Sequence, residues 1–214
     1  MTKKKKRAIL FSAFALIAVI LIGTTLAYFT DTDAKQNVFS IGKVTGTLNE
    51  KKDGEDTKDN GKDGFTYNNI KPGDSLDKEP YVELGSSSLD AYARVKITVN
   101  GLDDTKAAEV LNGLTGIGTG WVKVPINSSS CYYYYQSKLS NDSKIGSTKT
   151  TNVFTTVKIP GETWGNEVSG LSFTMDITGD LIQSDNFTPQ KDASGNIIGW
   201  TNSDGSAVTI ENAN

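Results

Sequence analysis

The stretch Ala91-Tyr92-Ala93-Arg94-Val95-Lys96-Ile97-Thr98-Val99 decides the fold class. Ala91, Ala93, Val95, Ile97 and Val99 alternate with Tyr92, Arg94, Lys96 and Thr98, a period of two that describes a half-buried β-strand. Val153, Thr155, Val157 and Ile159 form a second such run. Leu171, Phe173, Met175 and Ile177 form a third, with Ser172, Thr174 and Asp176 facing the other way. Residues 121–126 and 131–135 are aromatic or β-branched and read as two more strands. Between residues 39 and 48 the alternation changes phase. Phe39 and Ile41 lie on one register and Val44 and Leu48 on the other, and Gly42 at the slip suggests a bulge.

Turn residues punctuate these runs. Lys71-Pro72-Gly73-Asp74 places Pro and Gly at the centre of a type II turn. Residues 192–196 and 203–205 flank a last hairpin around residues 197–200. One helix is expected over residues 105–112, with Asp104 as its N-cap and Gly113 just past its end. Together these features predict an all-β protein, a jelly-roll-type antiparallel β-sandwich with one short helix.

Composition narrows the chemistry. The 214 residues include no histidine, one cysteine and 21 glycines, with a formal charge of −3. Without histidine there is no Ser-His-Asp or Cys-His arrangement and no His-containing zinc site. Cys131 alone makes neither a disulfide framework nor a multi-cysteine metal site.

The N-terminus has the layout of a secretory signal peptide. A basic cluster at residues 3–7 precedes an apolar run over residues 8–22, and Thr25 and Ala27 place small residues at −3 and −1 of a cleavage site before Tyr28. The apolar run is shorter than the ~20 residues a spanning helix needs, although its apolar character stretches to Phe29, which leaves an uncleaved N-terminal anchor as the alternative. The organisation expected is a signal peptide at 1–27, a domain at 28–187 and a C-terminal extension at 188–214 that forms a β-hairpin. Cleavage removes five of the 22 basic residues and no acidic ones. The exported domain is therefore acidic, which disfavours nucleic acid and anionic lipid as partners. The membrane enters only through the signal peptide before cleavage.

Other motifs read as structure. Residues 53–64 mix Asp, Gly and Lys, but Lys58 falls where an EF-hand loop needs a ligand oxygen, so a solvated loop is expected. Gly116, Gly118 and Gly120 lack the Gly-Lys-Ser/Thr of a P-loop and read as a flexible connector. Cys131 reads as a core thiol, since a nucleophilic cysteine needs a basic partner. Glu79, Glu83, Glu162, Glu167, Asp176, Asp180 and Asp185 are numerous enough to produce pairs by chance, and no catalytic pair is assigned. No cofactor is expected.

The segment after the cleavage site reads in two ways. Tyr28, Phe29, Val38, Phe39 and Ile41 are apolar and have no partner within the segment. They belong either to an ordinary first strand of the same domain or to a strand donated to the exposed sheet edge of a neighbour.

Several blocks resemble the TasA/camelysin family of secreted Gram-positive proteins. These are LIGTTLAYFTDTDAKQNVFSIGKVTGTL at 21–48, NIKPGDSLDK at 69–78, AYARVKI at 91–97, NVFTTVKIP at 152–160 and DLIQSDNF at 180–187. Residues 188–214 lie outside the resemblance. It implies processing by a SipW-type signal peptidase and a jelly-roll domain that self-associates, or co-assembles with other matrix proteins, into extracellular biofilm fibres. It also implies that the processed N-terminal segment, residues 28–41, completes a neighbouring subunit's sheet. The same family carries the metalloendopeptidase label of camelysin. The absence of histidine argues against that activity here, because a zinc site built from carboxylates alone is unusual. The expectation is thus a secreted fibre protein. A camelysin-like peptidase and a monomeric accessory or adhesion domain are the alternatives.

Overall fold

The computed structural model describes residues 30–34, 38–41, 44–52, 55–56, 71–161, 163–165, 168, 171–202 and 204–208. Residues 1–27, where a signal peptide is expected, and most of the 53–64 loop lie outside this set. Within it the fold is antiparallel and all-β, with one short helix.

The alternating run that opens the sequence argument becomes the middle of a five-stranded sheet. In chain order its strands are β1 (Thr30–Ala34), β7 (Ala91–Asn100), β9 (Trp121–Asn127), β10 (Ser130–Tyr135) and β12 (Thr174–Gln183). Their spatial order is β1-β12-β7-β10-β9. β7 and β12 pair along their whole lengths, from Thr174 opposite Asn100 to Gln183 opposite Ala91.

A second sheet is built on β3 (Val44–Lys52). β2 (Val38–Ile41) and β4 (Glu55–Asp56) pair along one side of it and β6 (Glu79–Leu84) along the other. β5 (Ser75–Asp77), β11 (Thr156–Lys158) and β8 (Leu114–Thr115) form a small third sheet. β13 (Thr188–Lys191) and β14 (Ile197–Thr201) form a C-terminal hairpin.

One core joins the first two sheets. Ala93, Val95, Ile97, Ile177 and Leu181 from the five-stranded sheet share a buried cluster with Val44, Leu48, Val82 and Leu84. The sheets approach closely where glycines remove side chains. A Cβ on Gly179 would sit 3.3 Å from the Leu48 Cβ, and one on Gly46 would collide with Leu181 and the Glu83 carbonyl. Helix α1 (Asp104–Asn112) adds Ala107, Val110 and Leu111 to the same core.

Local departures from the sequence expectations have physical causes. The phase slip near Gly42 marks a chain reversal and not a bulge: Ile41 ends one strand and lies opposite Val44, which begins the next. The N-cap of α1 is Asp103, whose side chain accepts from the Lys106 N–H at 2.9 Å, one residue before the expected Asp104. Gly113 follows the helix with right-handed geometry, and a Cβ there would strike the Lys158 carbonyl oxygen. Close backbone approach is therefore what glycine supplies at this position. The 153–159 run is a regular strand only at Thr156–Lys158. Val153 and Phe154 are consecutive and both fully buried, which strict alternation forbids. Residues 148–153 instead lie along β6, linked by hydrogen bonds such as Thr150 N–H to the Val82 carbonyl at 2.9 Å. The 71–74 turn follows expectation, with Gly73 at φ +89° and the Asp74 N–H donating to the Lys71 carbonyl at 3.0 Å.

Candidate functional site

Two features around β12 set the functional geometry: the strand on its outer edge, and the cover over its outward face. On the edge, β1 pairs antiparallel with Thr178–Ile182, Thr30 opposite Ile182 and Ala34 opposite Thr178. The family resemblance implies a single donor strand over residues 28–41. The structure splits that stretch between two sheets, because β2 leaves the five-stranded sheet and pairs with β3. Val38, Phe39 and Ile41 thus lie opposite Thr47, Gly46 and Val44 in the second sheet. Tyr28 and Phe29, like Thr25 and Ala27 of the expected cleavage site, lie outside the described residues. Both strands of the segment are placed on their own domain.

The outward face of the five-stranded sheet carries a second buried cluster. Tyr134, Ile182, Phe187, Ile197 and Trp200 form it, with Tyr92, Val124 and Tyr132 packed against them. It exists because the C-terminal hairpin lies over this face and brings Ile197 and Trp200 onto it.

At its centre is a cross-strand row. Asp180 on β12 lies opposite Arg94 on β7, and Arg94 lies opposite Tyr134 on β10. Arg94 Nε donates to Asp180 Oδ2 at 2.6 Å, and Nη1 donates to the Tyr134 hydroxyl at 3.1 Å. The guanidinium carbon stands 4.1 Å from the Tyr132 ring centroid and 4.9 Å from that of Trp200. Burial opposes the Arg94 charge, yet the Asp180 carboxylate and the two tyrosines outweigh it and raise the pKa. Burial also raises the Tyr132 pKa, against the pull of the Arg94 charge.

Gln136 fastens the hairpin to β10. Its Oε1 accepts from the Ile197 N–H at 2.6 Å, and its Nε2 donates to the Ile197 carbonyl at 3.0 Å. One side-chain amide thereby does the work of a neighbouring strand's peptide group. The Asp192 carboxylate closes the hairpin turn by accepting from the Asn196 amide group and from the N–H groups of Ser194 and Asn196. These bonds, the Asn196 side chain's first, hold its pKa below the usual range.

The remaining candidates are dispersed. Cys131 is in the core, and burial pushes its thiol pKa up to about 11, so thiolate chemistry is suppressed at neutral pH. Glu79 accepts from Asn152 at 3.0 Å and Asp176 from Asn100 at 2.8 Å. Asp180 faces Arg94, Asp185 is exposed, Glu83 is half-buried, and Glu162 and Glu167 lie outside the described residues. Among the described residues no group of three or more Cys, Asp or Glu is placed to hold a metal ion. The Gly116–Gly120 connector is closely packed: a Cβ on Gly116 would collide with Thr155, and one on Gly118 with the Asn152 carbonyl.

Sequence reading missed the Arg94–Asp180–Trp200 arrangement. Arg94 stood on the polar side of its strand and Asp180 was one carboxylate among many. The available clue was a tryptophan in a C-terminal hairpin together with an aromatic–polar strand face at Tyr132 and Tyr134. Comparison with known protein families, curated proteins and solved structures finds no match in any of the three.

Proposed function

We propose that this chain is a secreted structural protein whose jelly-roll-type domain forms or joins extracellular biofilm-matrix or cell-surface fibres by β-strand donation. The observation that carries this reading is the position of β1. It is a short N-terminal edge strand held by backbone pairing to Thr178–Ile182. When such a strand leaves, it bares a sheet edge that an identical strand from another copy fits in the same register. The opposite edge suits pairing less well, because β9 contains Pro125, which lacks an N–H. The TasA/camelysin resemblance of residues 21–48 supports the same reading, as does the N-terminal secretory layout.

The acceptor is then the β12 edge for residues 30–34 and the β3 edge for residues 38–41. A chain beginning at Tyr28 forms filaments of uniform width in negative-stain electron microscopy, and deletion of residues 28–38 abolishes them while leaving the domain folded. Filaments that persist in the deletion variant overturn the mechanism.

A second reading is a monomeric accessory or adhesion domain, in which β1 and β2 stay on their own domain. It expects dispersed particles at every concentration and pH, with residues 30–34 durably protected from hydrogen exchange. A camelysin-like peptidase has less support, because the chain has no histidine.

A further inference from the structure

We infer that the C-terminal hairpin β13–β14 is a buttress that keeps β12 in strand form whether or not β1 is paired to it. An outermost strand with one solvated face ordinarily frays. The half of β12 that β1 pairs with is covered on both faces. Gly179 and Leu181 face the inter-sheet core, while Asp180 and Ile182 face the hairpin's cluster; these four are buried, and Thr178 at the end of the paired stretch is half-buried. The hairpin supplies the second cover through Trp200, whose ring packs edge-on against Tyr134 with centroids 5.6 Å apart. Arg94 links that cover to β12 through Asp180, and the Gln136 amide holds β14 in place. Trp200, Arg94 and Gln136 are in this sense positioning residues for an edge they do not form. That the edge so held serves as an acceptor rests on the proposed strand donation. On that reading, the hairpin lets β1 be exchanged without unravelling the sheet.

The test uses the full chain carrying Asp31→Pro and Thr32→Pro. In an antiparallel strand one of two adjacent N–H groups points to each neighbour, so the pair removes a donor to β12 whichever way the ladder runs. Hydrogen exchange at residues 178–182 is read at the N–H groups that point to β7, because those that face β1 lose their partner in the double-proline chain whatever the hairpin does, and binding of a fluorescent peptide of residues 28–41 is read by anisotropy. With the hairpin intact, these N–H groups stay protected and the peptide binds. Adding Trp200→Ala speeds their exchange by at least ~10-fold and weakens peptide binding by a similar factor, the scale expected when ordering a strand is added to binding. Trp200→Phe restores much of both.

Val110→Ala, a core truncation in α1, controls for general destabilisation. Gln136→Ala serves in place of Trp200→Ala if that variant does not fold. Two results overturn the inference: loss of protection at 178–182 from the double proline alone, or an effect of Trp200→Ala no larger than that of Val110→Ala. Protection that depends on Trp200 without peptide binding upholds the buttress and overturns strand donation instead.

Discussion

Trp200 and Arg94 meet across the outward face of the five-stranded sheet, the guanidinium carbon 4.9 Å from the indole centroid and the Asp180 carboxylate 2.6 Å from Arg94 Nε. The contact places a charge pair, less than a tenth exposed on either side chain, beneath the hairpin. Such a pair is costly to break from one side, because the remaining charge stays buried without its counter-ion. Arg94→Met is expected to destabilise the domain by about 3–5 kcal/mol in urea unfolding. Replacing both members, Arg94→Met with Asp180→Leu, recovers a large part of that loss. A double variant as unstable as the sum of the singles would show that the two residues act independently.

Trp200→Ala removes the largest side chain of the outer cluster and is expected to cost about 3–5 kcal/mol, the range for truncating a buried aromatic. The loss is measured by thermal or denaturant unfolding. A cost below ~1 kcal/mol would mean that the hairpin is a loosely held appendage.

Gly46→Ala is expected to cost about 1–3 kcal/mol, although alanine suits a strand no worse than glycine. The added methyl meets the Leu181 side chain and the Glu83 backbone carbonyl, and a carbonyl in a paired strand has little room to shift. Pairing the change with Leu181→Ala relieves the side-chain part of the clash. A Gly46→Ala protein as stable as the parent would contradict the close approach of the two sheets.

Cys131 gives the domain an alkaline dependence. Burial raises its pKa from 9.0 to about 11, so the unfolded chain releases the thiol proton first as pH rises. Its contribution is therefore complete below pH 9 and falls away between pH 9 and 11. Two pKa units correspond to about 2–3 kcal/mol. Cys131→Val is expected to flatten the stability profile in that window, and in the parent the thiol resists alkylation at pH 8. Identical profiles for the two proteins would place the thiol in a more solvated site.

The strands with clean alternation were the legible part of the sequence. β7 needed only its five small and β-branched inward residues, and β9 and β10 followed from their aromatic and β-branched content. Legibility fell where tertiary contacts override local pattern. The 39–48 phase slip was visible, but a bulge and a two-residue reversal leave the same trace in a single strand of text. The partner register of Ile41 with Val44 distinguishes them. Val153 and Phe154 are both buried because that segment lies irregularly along β6, which no period of two encodes. The N-cap lay one residue from expectation because Asp103 and Asp104 are equally able caps. The outer-face site was the least legible. Arg94, Asp180 and Trp200 are far apart in sequence, and Arg94 and Asp180 belong to residue types that usually mark a solvated face.

The most direct test of strand donation is isotope-mixed crosslinking in the assembled state. Chains beginning at Tyr28 with a photo-reactive residue in place of Ala34, which lies opposite Thr178, are prepared separately as ¹⁵N-labelled and unlabelled protein. The two are mixed before assembly, irradiated as filaments and analysed by mass spectrometry. Donation predicts that crosslinks from position 34 to the Thr178 segment join heavy to light chains as often as they join like to like. Crosslinks found only within chains of one isotope would show that β1 stays on its own domain, and would contradict the account.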